Sequence, residues 1–286
     1  MIRQFYWALR RELWENRWLW LAPSAVALVL AIAVATYAFR ITAPMRAISA
    51  LAALHQRRAI SEPYDVVAGL MMGIGLLVAV IYCVDALYGE RRDRSILLWK
   101  SLPVSDATTV LAKLTIPALV LPVIIWALTV AVQLVLLLLS TAVLTAHGES
   151  AALLWTELHL GHDAFGLLYH LVALHGISTV PLYAWLLLVS AWATRAPFAW
   201  AILPPAAIML FERAAFGTTH IAQLLVNRLG GGASAPPPAP GGTLMDSMNG
   251  VPLGRLLVAP GLWIGFAVAA LFVAGAVRLR RSAQPA

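Results

Sequence analysis

Residues Asp85–Lys113 read DALYGERRDRSILLWKSLPVSDATTVLAK, a charged island set between two long hydrophobic runs. Acids and bases alternate from Glu90 to Arg94. From Ser95 to Leu102 the segment is apolar on one side, with Ile96, Leu97, Leu98 and Trp99 beside Lys100, which predicts a short amphipathic helix. Pro103 ends that helix, because it lacks an N–H and clashes with the preceding turn. Ser105 and Asp106 then supply an N-cap and a first-turn acid for a new helix, meeting its orphan amide donors and the positive end of its dipole. The island therefore reads as helix end, short amphipathic helix, proline stop and capped start of the next long helix.

What surrounds it is a membrane protein. The chain has 286 residues, of which 61% are hydrophobic and 12% charged, far from the make-up of a soluble domain. A net charge of +7 could suggest a nucleic-acid partner. The basic residues flank hydrophobic runs instead of forming one stripe, so a positive-inside bias explains them and no nucleic acid is expected. The lone cysteine, Cys83, excludes an intrachain disulfide and any paired-cysteine zinc site.

The expected architecture is all-α, a single transmembrane domain with six spans. Residues 1–18 carry Ile2, Phe5, Tyr6, Leu9 and Leu13 at helical spacing but are too charged to cross. They predict an interfacial helix, with Trp7, Trp14, Trp18 and Trp20 at headgroup level and Arg3, Arg10, Arg11 and Arg17 toward water. Spans are expected over 19–39, 66–88, 114–144, 166–193, 196–212 and 256–277, all but the fifth long enough, at about 1.5 Å per residue, to cross or tilt across a core of about 30 Å. Gly69 and Gly73 give the second span a small-xxx-small spacing suited to helix contact. Pro117 and Pro122 predict a kink in the third. The fifth is short and contains Pro197 and the pair Pro204-Pro205, which reads equally as broken backbone or as a tilted or thin span with ordinary kinks. Residues 213–255 form an outer segment that includes the proline-rich GGGASAPPPAPGG.

With the N-terminus inside, 13 of the 20 Lys and Arg fall on the cytoplasmic side, among them Arg91, Arg92, Arg94, Lys100, Lys113, Arg195 and Arg280. Residues 145–163, on the other side, hold none and carry Glu149, Glu157 and Asp163. Both termini and the 89–105 island are thus expected in the cytoplasm.

Tyr88-Gly89-Glu90-Arg91-Arg92, then Leu98, then Ser101-Leu102-Pro103-Val104-Ser105, then Val110 and Lys113, resemble the cytoplasmic loop of the membrane-spanning permease subunits of ABC transporters of the type-2 (ABC-2) exporter class. Arg94-Ser95 stands near where that class usually has a Gly-Thr pair. The resemblance implies an interfacial N-terminal helix, six spans, a coupling helix between spans two and three, and a partly re-entrant outer segment between spans five and six. It also implies the bacterial inner membrane, a separate ABC ATPase subunit that binds ATP and magnesium, and a second permease copy forming a homodimer. The coupling residues it points to are Glu90, Arg91, Arg92, Arg94, Leu97, Leu98, Trp99, Ser101, Leu102, Pro103 and Ser105. Leu97, Leu98 and Trp99 would anchor in a groove of the ATPase, and Glu90, Arg91, Arg92 and Arg94 would form the rim. No GxxxxGK[ST] phosphate loop is present, so this chain is not expected to hydrolyse ATP or to be an enzyme by itself.

A second reading is a membrane-embedded metal-binding protein or metal-dependent enzyme using outer histidines. His159, His162 and Asp163 fall at i, i+3 and i+4, which would put three ligands on one helical face. No HExxH accompanies them. Asp85, at the end of the second span, reads as a boundary carboxylate or as a proton relay.

Overall fold

Ser105 caps a helix as its sequence position predicts: its backbone is extended and its hydroxyl accepts the Thr108 amide. The computed structural model describes residues 2–49, 51, 53–93, 95, 104–229 and 253–282. Every regular element among them is helical. The expected coupling helix lies outside the described residues, with Arg94, Leu97, Leu98, Trp99, Ser101, Leu102 and Pro103, as does the proline-rich stretch within 230–252.

The elements in order are α1 (Ile2–Glu15), α2 (Trp18–Ala38), α3 (Thr42–Ser49), α4 (Ala53–Asp85), α5 (Tyr88–Arg92), α6 (Asp106–Thr115), a π-turn (Ile116–Val120) and α7 (Leu121–Ala146). After these come α8 (Ala152–Glu157), α9 (Leu160–Tyr169), a second π-turn (His170–Ile177), α10 (Val180–Trp192), α11 (Pro197–Phe216), α12 (His220–Leu229), α13 (Leu253–Val258) and α14 (Pro260–Ser282). Five helical stretches are long and apolar enough to cross a membrane: Trp18–Ala38, His55–Arg92, Asp106–Ala146, Pro197–Phe216 and Pro260–Ser282. Among the described residues the pair Ala152–Ile177 and Val180–Trp192, bent by 46°, passes the same test only together, as a broken span or a re-entrant loop, and brings the number to six if it crosses as one.

Helices outrun the hydrophobic ranges because backbone hydrogen bonding and capping, unlike transfer into lipid, do not need an apolar side chain. α4 starts thirteen residues ahead of the apolar run at 66, the third span starts at its Ser105 cap, and α14 continues to Ser282. α4 is the centre of the bundle, packed on α2, α7 and α10. Its buried seam runs Tyr64, Val67, Ala68, Met71, Val78, Ala79 and Tyr82, the spacing of one helix face. Val66, Leu70 and Leu77 point outward, as do Leu28 and Ile32 of α2 and Ile202 and Leu210 of α11, an apolar exterior fit for a bilayer.

Glycine and proline act at places other than those the sequence singles out. A Cβ added at Gly69 or Gly73 would meet nothing within 4 Å, so their spacing serves no contact in this chain, whereas one at Gly75 would press on Ile125. Of the two readings of Pro204-Pro205, the backbone break is absent, since α11 runs through the pair. Pro205 cannot donate to Ala201, and the carbonyl it frees is taken by the Trp185 indole N–H at 3.2 Å, the re-satisfaction a membrane helix needs. The irregular backbone lies instead in the third and fourth spans. Pro117 sits in the first π-turn, and Gly176 of the second π-turn lies directly against the Ala118 carbonyl of the first. Gly176→Ala would drive a methyl into that oxygen, with no flexible side chain to give way. We expect it to lower stability by about 1–3 kcal/mol, seen as a lower unfolding midpoint in detergent; an unchanged midpoint would show that the two π-turns can separate freely.

Candidate functional site

α1 is amphipathic, and its inner face is not purely apolar. Phe5, Ala8, Leu9 and Leu13 turn toward the bundle, and Glu12 lies among them with its side chain fully buried. On the opposite face the Arg10 guanidinium stacks between the exposed rings of Trp7 and Trp14, 5.2 and 4.6 Å from their centres, an arrangement suited to a headgroup layer. Packing α1 on α6 thus brings a carboxylate beside a helix that must bury it.

The answering charge is Lys113, at the last turn of α6, where its side chain is 3% exposed. Its Nζ lies 2.9 Å from Glu12 Oε2 and 3.1 Å from Glu90 Oε1. Arg280, near the end of α14, reaches Glu90 Oε2 through Nη2 at 3.0 Å and Asp106, in the first turn of α6, through Nη1. Tyr82 of α4 donates its hydroxyl to Glu12 Oε2 at 2.9 Å, and Arg11 Nη2 bonds Glu12 Oε1 at 3.0 Å. One chain of charge, Arg11–Glu12–Lys113–Glu90–Arg280–Asp106, therefore joins α1, α5, α6 and α14, with α4 attached through Tyr82. Burial pushes the Glu12 carboxyl up, and the Lys113 and Arg11 cations beside it outweigh that and hold it below the usual 4.5.

α5 is fixed by α10. Between α4 and α5 the Leu87 and Tyr88 amides lose their helical acceptors, and the Ser190 hydroxyl receives both at 2.9 Å. The Arg91 Nη2 donates to the Ser190 and Ala193 carbonyls at 2.7 and 2.6 Å, a cation closing the C-terminus of α10.

Glu90 and Arg91 are accordingly not rim groups: each is 8% exposed and both face the bundle. The alternating charges of the island separate here, since a five-residue helix held on one side by Ser190 can direct only some of them outward. Arg92 does point out, pairing with Asp93 at 3.0 Å and with Asp85 at 3.7 Å. Asp85 is about half exposed in that contact. Arg11, expected toward water, instead serves the network. Sequence reasoning took Lys113 and Arg280 as orientation markers and did not single out Glu12 or Ser190. A carboxylate three residues from Leu9 on an apolar stripe, and a lysine bounding an apolar run, are the available signals for the pair.

At the opposite end, Arg46 Nε meets Glu149 at 2.7 Å, joining the 40–65 region to the loop after α7. His159 precedes α9 as its N-cap residue, so it does not share a helical face with His162 and Asp163. His162 lies 3.6 Å from Asp163, and among the described residues no three His, Cys, Asp or Glu side chains converge on a point that could hold a metal ion. Comparison of the chain with protein-family models, with curated proteins and with solved structures found no match in any of the three.

Proposed function

We propose that this chain is the membrane-spanning permease subunit of an ATP-driven exporter of the ABC-2 type, converting movement of a separate ATPase into movement of its own spans. One observation carries the reading: Glu90, in the island, is a node of a buried charge network that ends on α1, α6 and α14. A soluble engine gripping residues 94–103 would pull on α5, and α5 cannot shift without displacing Lys113 and Arg280. Buried ion pairs resist such separation, because each leaves an uncompensated charge. Force on one short loop would thus reach both ends of the sequence and the middle of the bundle together, the rigid-body rocking that alternating access requires.

In this reading Glu90 and Arg91 are positioning residues, whereas Arg92 and residues 94–103 meet the partner. ATP and magnesium belong to the partner. Both termini and the island face the bacterial cytoplasm, and a second copy of the chain completes the pathway, since six spans are few to enclose one. The test is to mix the purified ATPase with membrane vesicles of known sidedness that carry this chain. ATP hydrolysis should be absent with the chain alone, should appear when the ATPase meets inside-out vesicles, and should stay at the ATPase's own level with right-side-out ones. Hydrolysis by the chain without a partner, or equal stimulation from both vesicle types, would overturn the assignment.

A further inference from the structure

α12 turns back along the bundle after Gly217, whose φ of +67° is the left-handed conformation glycine adopts freely. Between α10, α11, α12 and α14 it leaves a cavity of about 340 Å³, apolar except at one place. Pro181 and Trp185 line one wall, Pro205 and Leu224 two others, and Val268 and Phe272 the last. The Trp185 and Phe272 rings, 5.5 Å apart, bring α10 and α14 together at its deep end.

The exception is Arg228. Its Nη1 donates to the Ser178 carbonyl at 2.7 Å, where the fourth span bends, and its Nη2 to the Gly261 carbonyl at the start of α14. Room for the guanidinium exists because residue 265 is glycine: a Cβ there would lie 2.6 Å from both terminal nitrogens. Among the described residues no carboxylate is within ion-pair distance of Arg228, and both of its partners are neutral carbonyls. A guanidinium has five N–H donors, and a half-buried cation against apolar walls ordinarily meets an anion.

Depth says which anion. Gly261 and Arg280 lie on one helix about 28 Å apart at 1.5 Å per residue, close to the thickness of the hydrocarbon core. Arg280 belongs to the island end, so Arg228, bonded to Gly261, stands at headgroup level in the opposite leaflet. The cavity runs from there toward the bilayer centre, along Gly265, Val268 and Phe272 of α14. We propose that this is a binding site for an anionic phospholipid of that leaflet, with its phosphate on Arg228 and one acyl chain in the cavity. The site does not depend on the exporter reading.

The test uses the full chain in phosphatidylcholine bilayers doped with phosphatidylglycerol carrying a diazirine in its acyl chain, or with the matching phosphatidylcholine probe. Photolabelling of residues 181–185 and 264–272 is read by mass spectrometry. The anionic probe should label about tenfold more than the zwitterionic one, because the choline ammonium of the latter offsets the phosphate charge that Arg228 meets. Arg228→Lys should keep that preference and Arg228→Gln should abolish it, while Val268→Trp should lower labelling by both probes. Equal labelling of the parent chain, a preference that survives Arg228→Gln, or labelling unchanged by Val268→Trp would each overturn the site. If Arg228→Gln does not fold, the parent comparison and Val268→Trp decide the question.

Discussion

Lys113→Met will lose about 3–5 kcal/mol of stability, the usual cost of removing one partner from a buried ion pair. The loss has little to do with volume, since Met fills most of the space of a lysine stem. It arises because Glu12, fully buried, and Glu90, nearly so, are left facing one another without the ammonium that lies within 3.1 Å of each. A pH titration separates this cause from a packing defect. In the parent chain the folded Glu12 carboxyl is held below its ordinary 4.5. Its stabilising contribution is therefore complete above that value and is lost as the pH falls through the depressed one. Without Lys113 the burial of Glu12 is less offset, the group takes up a proton at higher pH, and the deficit narrows on acidification. Glu12→Leu combined with Lys113→Met should recover part of the loss, because the fully buried Glu12 carboxylate is gone and Glu90 retains Arg280 on its other oxygen. Unfolding midpoints in detergent over a range of pH provide the measurement, and a deficit that is small or constant with pH would remove the network from the account of this fold.

If the proposed ATPase partner grips the island, Trp99→Ala is expected to weaken that assembly by about 2 kcal/mol or more, roughly thirtyfold in affinity, while leaving insertion and the unfolding midpoint untouched. Trp99 lies outside the described residues, so the expectation rests on its sequence setting: a large aromatic beside Leu97 and Leu98 in a stretch whose pattern predicts a short helix, flanked by charge and followed by Pro103. Buried aromatic anchors commonly carry most of the energy at such an interface. Co-purification of the ATPase with the tagged chain reads the effect. Retention equal to the parent would show that the island is not gripped in this way. Glu90→Lys makes the contrast: reversing a charge between Lys113 and Arg280 should destabilise the chain itself, since Glu90 is a buried node and not part of a contact surface.

Much of the architecture was legible in the residues. Hydrophobic runs bounded by Arg17 and Arg40, or by Lys113 and Glu149, declare membrane helices whatever they pack against, because the bilayer tests each segment separately. The Ser105 cap and the amphipathic α1 are equally local, one needing only its next three residues and the other only its own periodicity. The network was not legible, since its members lie at positions 12, 90, 113 and 280 and no sequence pattern links them.

Three further features belong to the tertiary structure alone. α11 is continuous through Pro204-Pro205 because Trp185, on another helix, accepts the task of bonding the freed carbonyl. The backbone irregularity falls at the two π-turns because Gly176 allows one chain to rest on the Ala118 carbonyl of the other. Arg91 turns inward because Ser190 and Ala193 offer it the open end of α10. In each case the sequence determined which groups had to be satisfied, by burial, capping or missing donors. Only the packing of distant helices decided which partner satisfied them, because a hydrogen bond or ion pair is chosen by what lies within about 3 Å in space and not by position along the chain.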